Sequence, residues 1–537
     1  MADKVKPPKS KKKIKLLSAF AVLFGIIAGM AVLTWVIPSG EYDMMPDPKD
    51  SSKEVRKPGT YHEVKKVEEI KTEAFESEAD ERSEEAAPTE EEPEVEIKDR
   101  RQGLWDVLMA PIKGMVERLD VIIFILILGG FLGIVMKTGA LDAGLGNLLR
   151  KMNGKEKWLI PILMTLFAIG GTTYGMQEET VAFYALIIPV MLSAGYNTMT
   201  AIMMIVLGSG VGVLASTVNP FSTGIAAKAA DIPLGNILWI QGLILVAMLV
   251  AAIVFTMRYA AKVKAGGYKE DAAAKVSFKA IDAASVPENT GKRKAILAIF
   301  GLSFVLMIIS LIPWGDFNVT LFSDIHAWLA SLPVVGAVLG AGHNCALGEW
   351  YFNETSVLFF ASAMLIAFIY RKEFKKEEVS ITDTFINGAG QLLGVAVVIA
   401  VAAAVSVIME AGGIQDTIIH WGEESLSGAN SSFVGVLAYI FYLPMSFVIP
   451  STSGLATATM PIIAPVADLV GSSRETMVVA FSNAVGLLNM IAPTVASLMA
   501  GLALSGVSYK QWLKRVAPIM GVFVVISLVA VFVMGLI

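Results

Sequence analysis

Two polar stretches, GGTTYGMQEET at 170–180 and PSTSGLATAT at 450–459, each interrupt a long apolar block, 158–193 and 432–470. As helix, the legs of the first block, 157–172 and 177–193, are only about 24–26 Å long. A bilayer's hydrocarbon core is roughly 30 Å thick. Hairpins that enter the membrane, turn at mid-depth and leave on the side of entry fit these lengths. Two full spans would preserve the same parity, so the lengths favour hairpins without excluding spans.

Working outward, the other apolar blocks lie near 16–37, 121–138, 198–227, 234–257, 295–313, 355–370, 389–409, 476–505 and 516–537. The 537-residue chain is 55% apolar and 17% charged, below the roughly 25% charged of soluble domains. Its mean hydropathy is +0.64. Uncharged runs of this length exclude a soluble multidomain enzyme, and continuous runs do not match the alternation of a β-barrel. The reading is an all-α polytopic membrane protein. One cysteine, Cys345, excludes an intramolecular disulfide and a cysteine-ligated metal centre, and the four histidines form no ligand pair. No metal site, cofactor or nucleic-acid partner is expected.

Charge sets orientation and domains. Placing the N-terminus in the cytoplasm gives the inner segments 1–15, 139–157, 258–294, 371–378 and 510–515 a total of 27 Lys/Arg. The short outer segments then hold two, Lys228 and Arg474. By the positive-inside rule the chain is N-in and C-out in the cytoplasmic membrane. The expected organisation is a basic tail (1–15), a first transmembrane repeat (16–257), a cytoplasmic linker (258–294) and a second repeat (295–537). The first repeat carries the inward hairpin 157–193 and the second the outward hairpin 432–471. An extracytoplasmic loop at 41–100 carries 21 Asp/Glu against 10 Lys/Arg. Its composition predicts a largely disordered, solvated tether.

The halves match at four ordered anchors. Thr173–Met176 mirrors Thr452–Leu455, and Pro189 with Gly195 mirrors Pro465 with Gly471. Pro220 in GVLASTVNPFST (212–223) mirrors Pro493 in GLLNMIAPT (486–494), and Gly139 in IVMKTGALD (134–142) lies over Gly412 in VIMEAGGIQD (407–416). An inverted repeat with two opposed re-entrant hairpins and two interrupted helices is the expected fold, a pattern of secondary transporters with a midplane site.

Breaks of this kind persist in a membrane only where protein, water or ligand partners the freed backbone groups. The candidate substrate site therefore combines the tips, Thr172, Thr173, Gly175, Ser451, Thr452, Ser453 and Gly454, with the facing breaks, Ser216, Thr217, Asn219, Ser482, Asn483, Asn489 and Thr494. Freed carbonyls near Asn219 and Asn489 suit a coupling Na⁺. Glu178 and Glu179 are the only charged residues between Lys157 and Lys228, and neither hairpin offers them a Lys or Arg partner near the tip. An intramembrane acid is a functional candidate by default. Three readings stand: one Glu binds a cationic substrate group, one carries a proton, or both face a water-filled vestibule. STSG at 451–454 has the look of a serine nucleophile's surroundings but no base nearby, so no catalytic residue is assigned.

With these motifs quoted, the chain resembles the YfcC/DcuC family of anaerobic dicarboxylate carriers and basic amino acid antiporters. QGLWDVLMAPIKGM (102–115), GGTTYGMQEET, GSGVGVLASTVNPFSTGIAA (208–227) and IPSTSGLATATMPIIAPVADLVG (449–471) carry the resemblance from residue 16 onward, apart from an acidic insert around 45–98. It implies the ion-transporter superfamily fold: a scaffold domain, a transport domain with two hairpins, and often a dimer moving as an elevator. Two carboxylates oppose a doubly charged anion unless protonated or matched by Na⁺. The expected function is transport of a basic amino acid by exchange. A Na⁺- or H⁺-coupled dicarboxylate or peptide-like carrier is the alternative, and a channel or sensor is the remaining class.

Overall fold

The computed structural model describes residues 19–47, 50–71, 95–152, 155–268, 287–312 and 314–536. The basic tail and residues 269–286 of the cytoplasmic linker fall outside them. Helix α1 (Ala19–Val36) leads into the acidic segment. There β1 (Ser39–Glu41) pairs with β4 (His62–Val64), β2 (Met44–Asp47) with β3 (Asp50–Arg56), and β5 (Val67–Lys71) with β6 (Val95–Asp99), all antiparallel. The first half continues with α2 (Leu104–Glu117), α3 (Leu119–Lys137), α4 (Ala140–Met152), α5 (Leu159–Tyr174), α6 (Thr180–Ser193), α7 (Thr198–Leu214), α8 (Ile225–Ala229) and α9 (Gly235–Lys264). The second holds α10 (Gly291–Leu311), α11 (Leu321–Ser331), α12 (Val335–Leu339), α13 (Phe352–Ile369), α14 (Arg371–Lys376), α15 (Ile381–Ala411) and α16 (Ile414–Ser427). It ends with α17 (Ser431–Val448), α18 (Thr452–Leu469), α19 (Arg474–Asn489), α20 (Ala496–Ser505) and α21 (Tyr509–Met534). Among the described residues α3, α9, α10, α13, α15, α17 and α21 are long and apolar enough to cross a membrane.

Two packed groups frame the centre. In the first, α2 and α3 run antiparallel along α15, and small residues let the backbones touch. A Cβ on Gly388 would lie within van der Waals radii of the Gly129 carbonyl, and one on Gly114 would overlap the Ala400 carbonyl. Phe124, Phe131, Phe304 and Phe359 fill the angle between α3, α10 and α13, with centroids 5.1 Å apart for Phe131–Phe359 and for Phe304–Phe359.

In the second group α7 is buried along its whole length and α19 along nearly all of it. The buried stretches of both helices carry no charged residue, as helices enclosed on all sides require. Asn197 starts α7 by accepting from the Thr200 N–H at 3.0 Å. Pro220, which lacks an N–H, prevents the helix from simply continuing through the break. The two helices cross reciprocally: a Cβ on Gly210 would meet Met490, and a Cβ on Gly486 would meet Leu214. Positions 210 and 486, and 214 and 490, differ by the 276 that also separates Pro189 from Pro465.

Three expectations change. The second leg of the first hairpin begins at Thr180, not near 177, because Gly175 turns left-handed (φ 80°) and a non-helical turn follows. Glu178 and Glu179 therefore sit on the tip itself. Gly413, not the sequence match Gly412, shares with Gly139 a positive φ (64° and 66°) just before α16 and α4. Lastly, the described parts of the acidic segment are not a solvated tether. Tyr42 Oη donates to Glu423 (2.9 Å), Arg56 Nε to Asp416 (2.7 Å) and Tyr61 Oη to Thr417 (3.1 Å), and the Tyr61 ring stacks on His420 at 4.0 Å. Burial first, then the neighbouring Glu423 carboxylate, pushes the Tyr42 phenol above its ordinary range. Average composition had hidden these aromatic and basic anchors; the Glu-rich stretch 72–94 lies outside the described residues.

Candidate functional site

Each tip is braced to a helix break. Thr172 Oγ1 donates to the Ala215 carbonyl (2.9 Å) and accepts from the Thr217 N–H (3.0 Å). The Thr172 carbonyl accepts from the N–H groups of Thr217 and Val218, both at 3.2 Å. In the other half Asn489 Nδ2 donates to Thr452 Oγ1 at 3.4 Å. Thr172 and Thr217 thus spend their polar groups on each other, and Thr173 Oγ1 donates back to the Ile169 carbonyl. Gly175 lets Asn219 pack on its α-carbon: a Cβ there would lie 2.7 Å from Asn219 Nδ2. Asn219 Oδ1 caps the next turn by accepting from the Phe221 N–H at 2.9 Å.

Between the tips lies a cavity of about 160 Å³. Of the residues proposed from sequence, Gly175, Glu178, Glu179, Asn219, Ser451, Thr452, Ser453 and Thr494 line it. Asn489 lines a smaller void beside Gln177 and Tyr184. Gly454 lies one turn back, its N–H donating to the Ser451 hydroxyl at 3.2 Å. The first-turn N–H groups of a helix have no partner inside it, and here Thr452 and Ser453 of α18, with Thr494, Val495 and Ala496 entering α20, bring two such ends to the cavity wall. Anionic groups are favoured at such ends. Glu179 Oε2 accepts from the Gln177 N–H at 3.2 Å, which orders the tip.

The sequence reading missed Arg118. It stands at the junction of α2 and α3, outside both hairpins, yet lines the same cavity as Glu178 and Glu179. The reading that neither hairpin supplies the glutamates with a Lys or Arg concerned the hairpins alone, and Arg118 comes from outside them. The available signal was the charged run Lys113, Glu117, Arg118 and Asp120 directly against an apolar block. Tyr174, Phe221 and Phe352 complete the wall and were likewise not singled out.

Ser216, Ser482 and Asn483 lie behind the cavity, in the crossing of α7 and α19. Ser482 Oγ donates to the Leu214 carbonyl (3.0 Å), Thr223 Oγ1 donates to the Ser216 carbonyl (3.1 Å), and the two hydroxyl oxygens are 3.1 Å apart. Two hydroxyl protons cannot fill three such contacts, so one is always left without a hydrogen. Nearby, Ser216 Oγ and both polar atoms of Asn483 are fully buried without a hydrogen-bond partner among the described residues.

A family profile described as DcuC, C4-dicarboxylate anaerobic carrier, matches residues 16–536. A Haemophilus influenzae protein without assigned function is 30% identical over 535 residues, 97% of each chain. The Escherichia coli protein YfcC, provisionally named a basic amino acid antiporter, is 28% identical over 450 residues, 81% of each chain. Among solved structures, the Alcanivorax borkumensis YdaH transporter covers 96% of this chain and 98% of its own at 14% identity and a TM-score of 0.43. Neisseria gonorrhoeae MtrF, described with a class of antimetabolite efflux pumps, covers 97% and 95% at 15% identity and a TM-score of 0.40.

Proposed function

The chain belongs to the DcuC family of C4-dicarboxylate anaerobic carriers, an integral membrane transporter family, and on that premise we propose that it exchanges basic amino acids by alternating access. The carrying observation is the cavity in which Glu178 and Glu179 face one cation, Arg118, beside the N-terminal turns of α18 and α20. Arginine, ornithine or lysine would set its α-carboxylate against the helix N-termini or Arg118 and its side-chain cation against a tip glutamate. The provisional name of the YfcC relative points the same way.

The proposed frame is the inverted repeat, with α5–α6 and α17–α18 as opposed re-entrant hairpins. The reciprocal 210–490 and 214–486 contacts, which a two-fold relation between the halves would generate, support it. In this reading α2, α3, α13 and α15 belong to the scaffold, the hairpins and the two interrupted helices move as the transport domain, and the chain is N-in, C-out in the cytoplasmic membrane. A homodimer through the scaffold belongs to the same proposal, and no catalytic role is assigned.

A specific observation favours a second reading, coupling to Na⁺. The Leu214 and Ser216 carbonyls with the Ser482 and Thr223 hydroxyls form an oxygen cluster with one proton too few. A monovalent cation would relieve that shortage. Na⁺ here would suit a carrier for an anionic cargo, as the family's description suggests.

Proteoliposomes loaded with unlabelled arginine, tested for uptake of labelled arginine, ornithine and succinate, separate the readings. Amino acid uptake that needs internal amino acid and is lost in Glu178→Gln or Glu179→Gln supports the exchanger. Succinate uptake into succinate-loaded vesicles, driven by Na⁺ and indifferent to both substitutions, replaces it with the dicarboxylate reading.

A further inference from the structure

The chain between α10 and α13 departs from and returns to one point. The Ser310 carbonyl, in the last turn of α10, accepts from the N–H groups of Gly348 (2.8 Å) and Trp350 (3.3 Å), and Trp314 Nε1 donates to the Ile309 carbonyl at 2.7 Å. The lobe in between, which contains α11 and α12, is held by its own contacts. Trp314 packs on Phe322 with centroids 5.3 Å apart, His326 Nε2 lies 2.9 Å from Asn344 Oδ1, and a Cβ on Gly336 would overlap the Leu329 carbonyl.

At 3.6 residues per turn, α11 has three faces. Phe322 and His326 turn into the lobe. Ser323, Ala327 and Ala330 are small and exposed. Leu321, Ile325 and Trp328, spaced i, i+4, i+7, form a third face that is apolar and also exposed, Trp328 by 60%. Beyond it Val334 and Val338 are 72% and 80% exposed. An apolar face turned outward in this way marks an interaction site.

The neighbouring helices say what meets it. With 21 residues, α10 is about 32 Å long, the thickness of the hydrocarbon core. Its far end carries Lys292, Arg293 and Lys294, and Arg371 and Lys372 follow α13, whereas 314–354 contains no Lys or Arg. The lobe therefore starts where acyl chains give way to headgroups, on the membrane face away from those basic residues. Three of the nine tryptophans, Trp314, Trp328 and Trp350, lie in it, and tryptophan collects at this boundary. A lipid leaflet is thus the apolar partner present at that height.

We infer that the Leu321–Ile325–Trp328 face of α11, with Val334 and Val338, is seated in the headgroup–acyl boundary of one leaflet as an interfacial anchor beside α10 and α13. This needs only that the chain spans a membrane. Resting further on the alternating-access reading, the anchor fixes the depth of the α10–α13 side while the hairpins move.

Single cysteines in a Cys345→Ser background, Ile325→Cys on the apolar face and Ala330→Cys on the small one, carry a bimane fluorophore in proteoliposomes. In phospholipid brominated just below the headgroup, the Ile325→Cys label should lose about half its emission and the Ala330→Cys label little, since an interfacial helix sinks its apolar face about 5–10 Å. Iodide in the buffer should quench the two labels in the reverse order. Leu321→Glu combined with Trp328→Glu should bring bromine quenching of the Ile325→Cys label down to that of Ala330→Cys. Equal bromine quenching of both labels, none at Ile325→Cys, or an unchanged loss in the glutamate variant overturns the anchor. A short bismaleimide that joins two copies through Ile325→Cys, without bromine quenching, overturns it in favour of a second copy as the occupant.

Discussion

Adding one methyl group to α19 should break the centre of this protein, whereas the equivalent methyl on α7 should not. A Cβ on Gly486 would lie 2.1 Å from the Leu214 α-carbon and 2.5 Å from its nitrogen. The added atom meets main chain, so no rotamer change relieves it. Restoring an ordinary 3.4 Å contact requires the helices to part by roughly 1.3 Å. A Cβ on Gly210 would instead meet Met490 Cγ at 2.3 Å and Sδ at 2.6 Å, atoms of a flexible side chain. Overpacking usually costs about 1–3 kcal/mol. Gly486→Ala should fall at or beyond the upper end, about 3 kcal/mol, and Gly210→Ala near about 1 kcal/mol. Thermal unfolding of the purified protein, with uptake measured in parallel, checks the order. The double substitutions sharpen it: Met490→Ala should rescue Gly210→Ala, and Leu214→Ala should not rescue Gly486→Ala. Equal effects of the two glycine substitutions, or rescue by Leu214→Ala, would refute a backbone-to-backbone crossing.

Two further predictions concern the braces. Thr172→Val leaves the buried Ala215 carbonyl without its hydroxyl donor, while the Thr217 N–H keeps the Thr172 carbonyl as acceptor; at about 1–3 kcal/mol for the one orphaned group, stability and uptake should both fall, while Thr172→Ser stays close to wild type. Indistinguishable melting of the two variants would remove the brace. Because the Tyr42 phenol is raised by burial and by Glu423, its neutral form is the one that docks. Its contribution is complete below the unfolded phenol value near 10 and is lost as pH rises beyond it. A fluorophore on Lys57→Cys in the Cys345→Ser background should report release of the acidic segment above about pH 10, and Tyr42→Phe should remove that pH dependence; an identical alkaline profile in Tyr42→Phe would count against the docked phenol.

What could be read from sequence was whatever depends on local pattern. Uncharged runs marked the helices, and the glycines, prolines and hydroxyl residues of 170–180, 212–223, 450–459 and 486–494 marked where helices stop. Eight of the sixteen proposed site residues line the main cavity. Of the rest, Thr172 and Thr217 have the right chemistry for a ligand, but each satisfies the other, and only three-dimensional contacts reveal that. Arg118 was missed because it is about sixty residues from the tip in sequence, and no periodicity links a helix junction to a hairpin in another group. The acidic segment was misread because net charge averages over anchors such as Tyr42, Arg56 and Tyr61, whose partners on α16 are more than three hundred residues away.

The symmetry of the frame and the asymmetry of its charges do different jobs in the proposed cycle. Gly210 against Met490 and Gly486 against Leu214 are equivalent contacts in the two halves, so a rocking of one half can be answered by a similar rocking of the other. That keeps two access states close in energy, which an exchanger needs in order to run both ways. Charge breaks the equivalence: Glu178 and Glu179 sit on the first tip, whereas the matching turn of the second offers Ser451, Thr452 and Ser453. A cargo with a cationic end and an anionic end can then bind in one orientation only. At about 6 Å and an effective dielectric constant near 20, reversing one charge contact from attraction to repulsion changes its energy by roughly 5–6 kcal/mol. A cargo with two like ends gains no such preference. Under the proposed exchange, the charges would select for a zwitterionic or cationic amino acid, while the frame would set how it is moved.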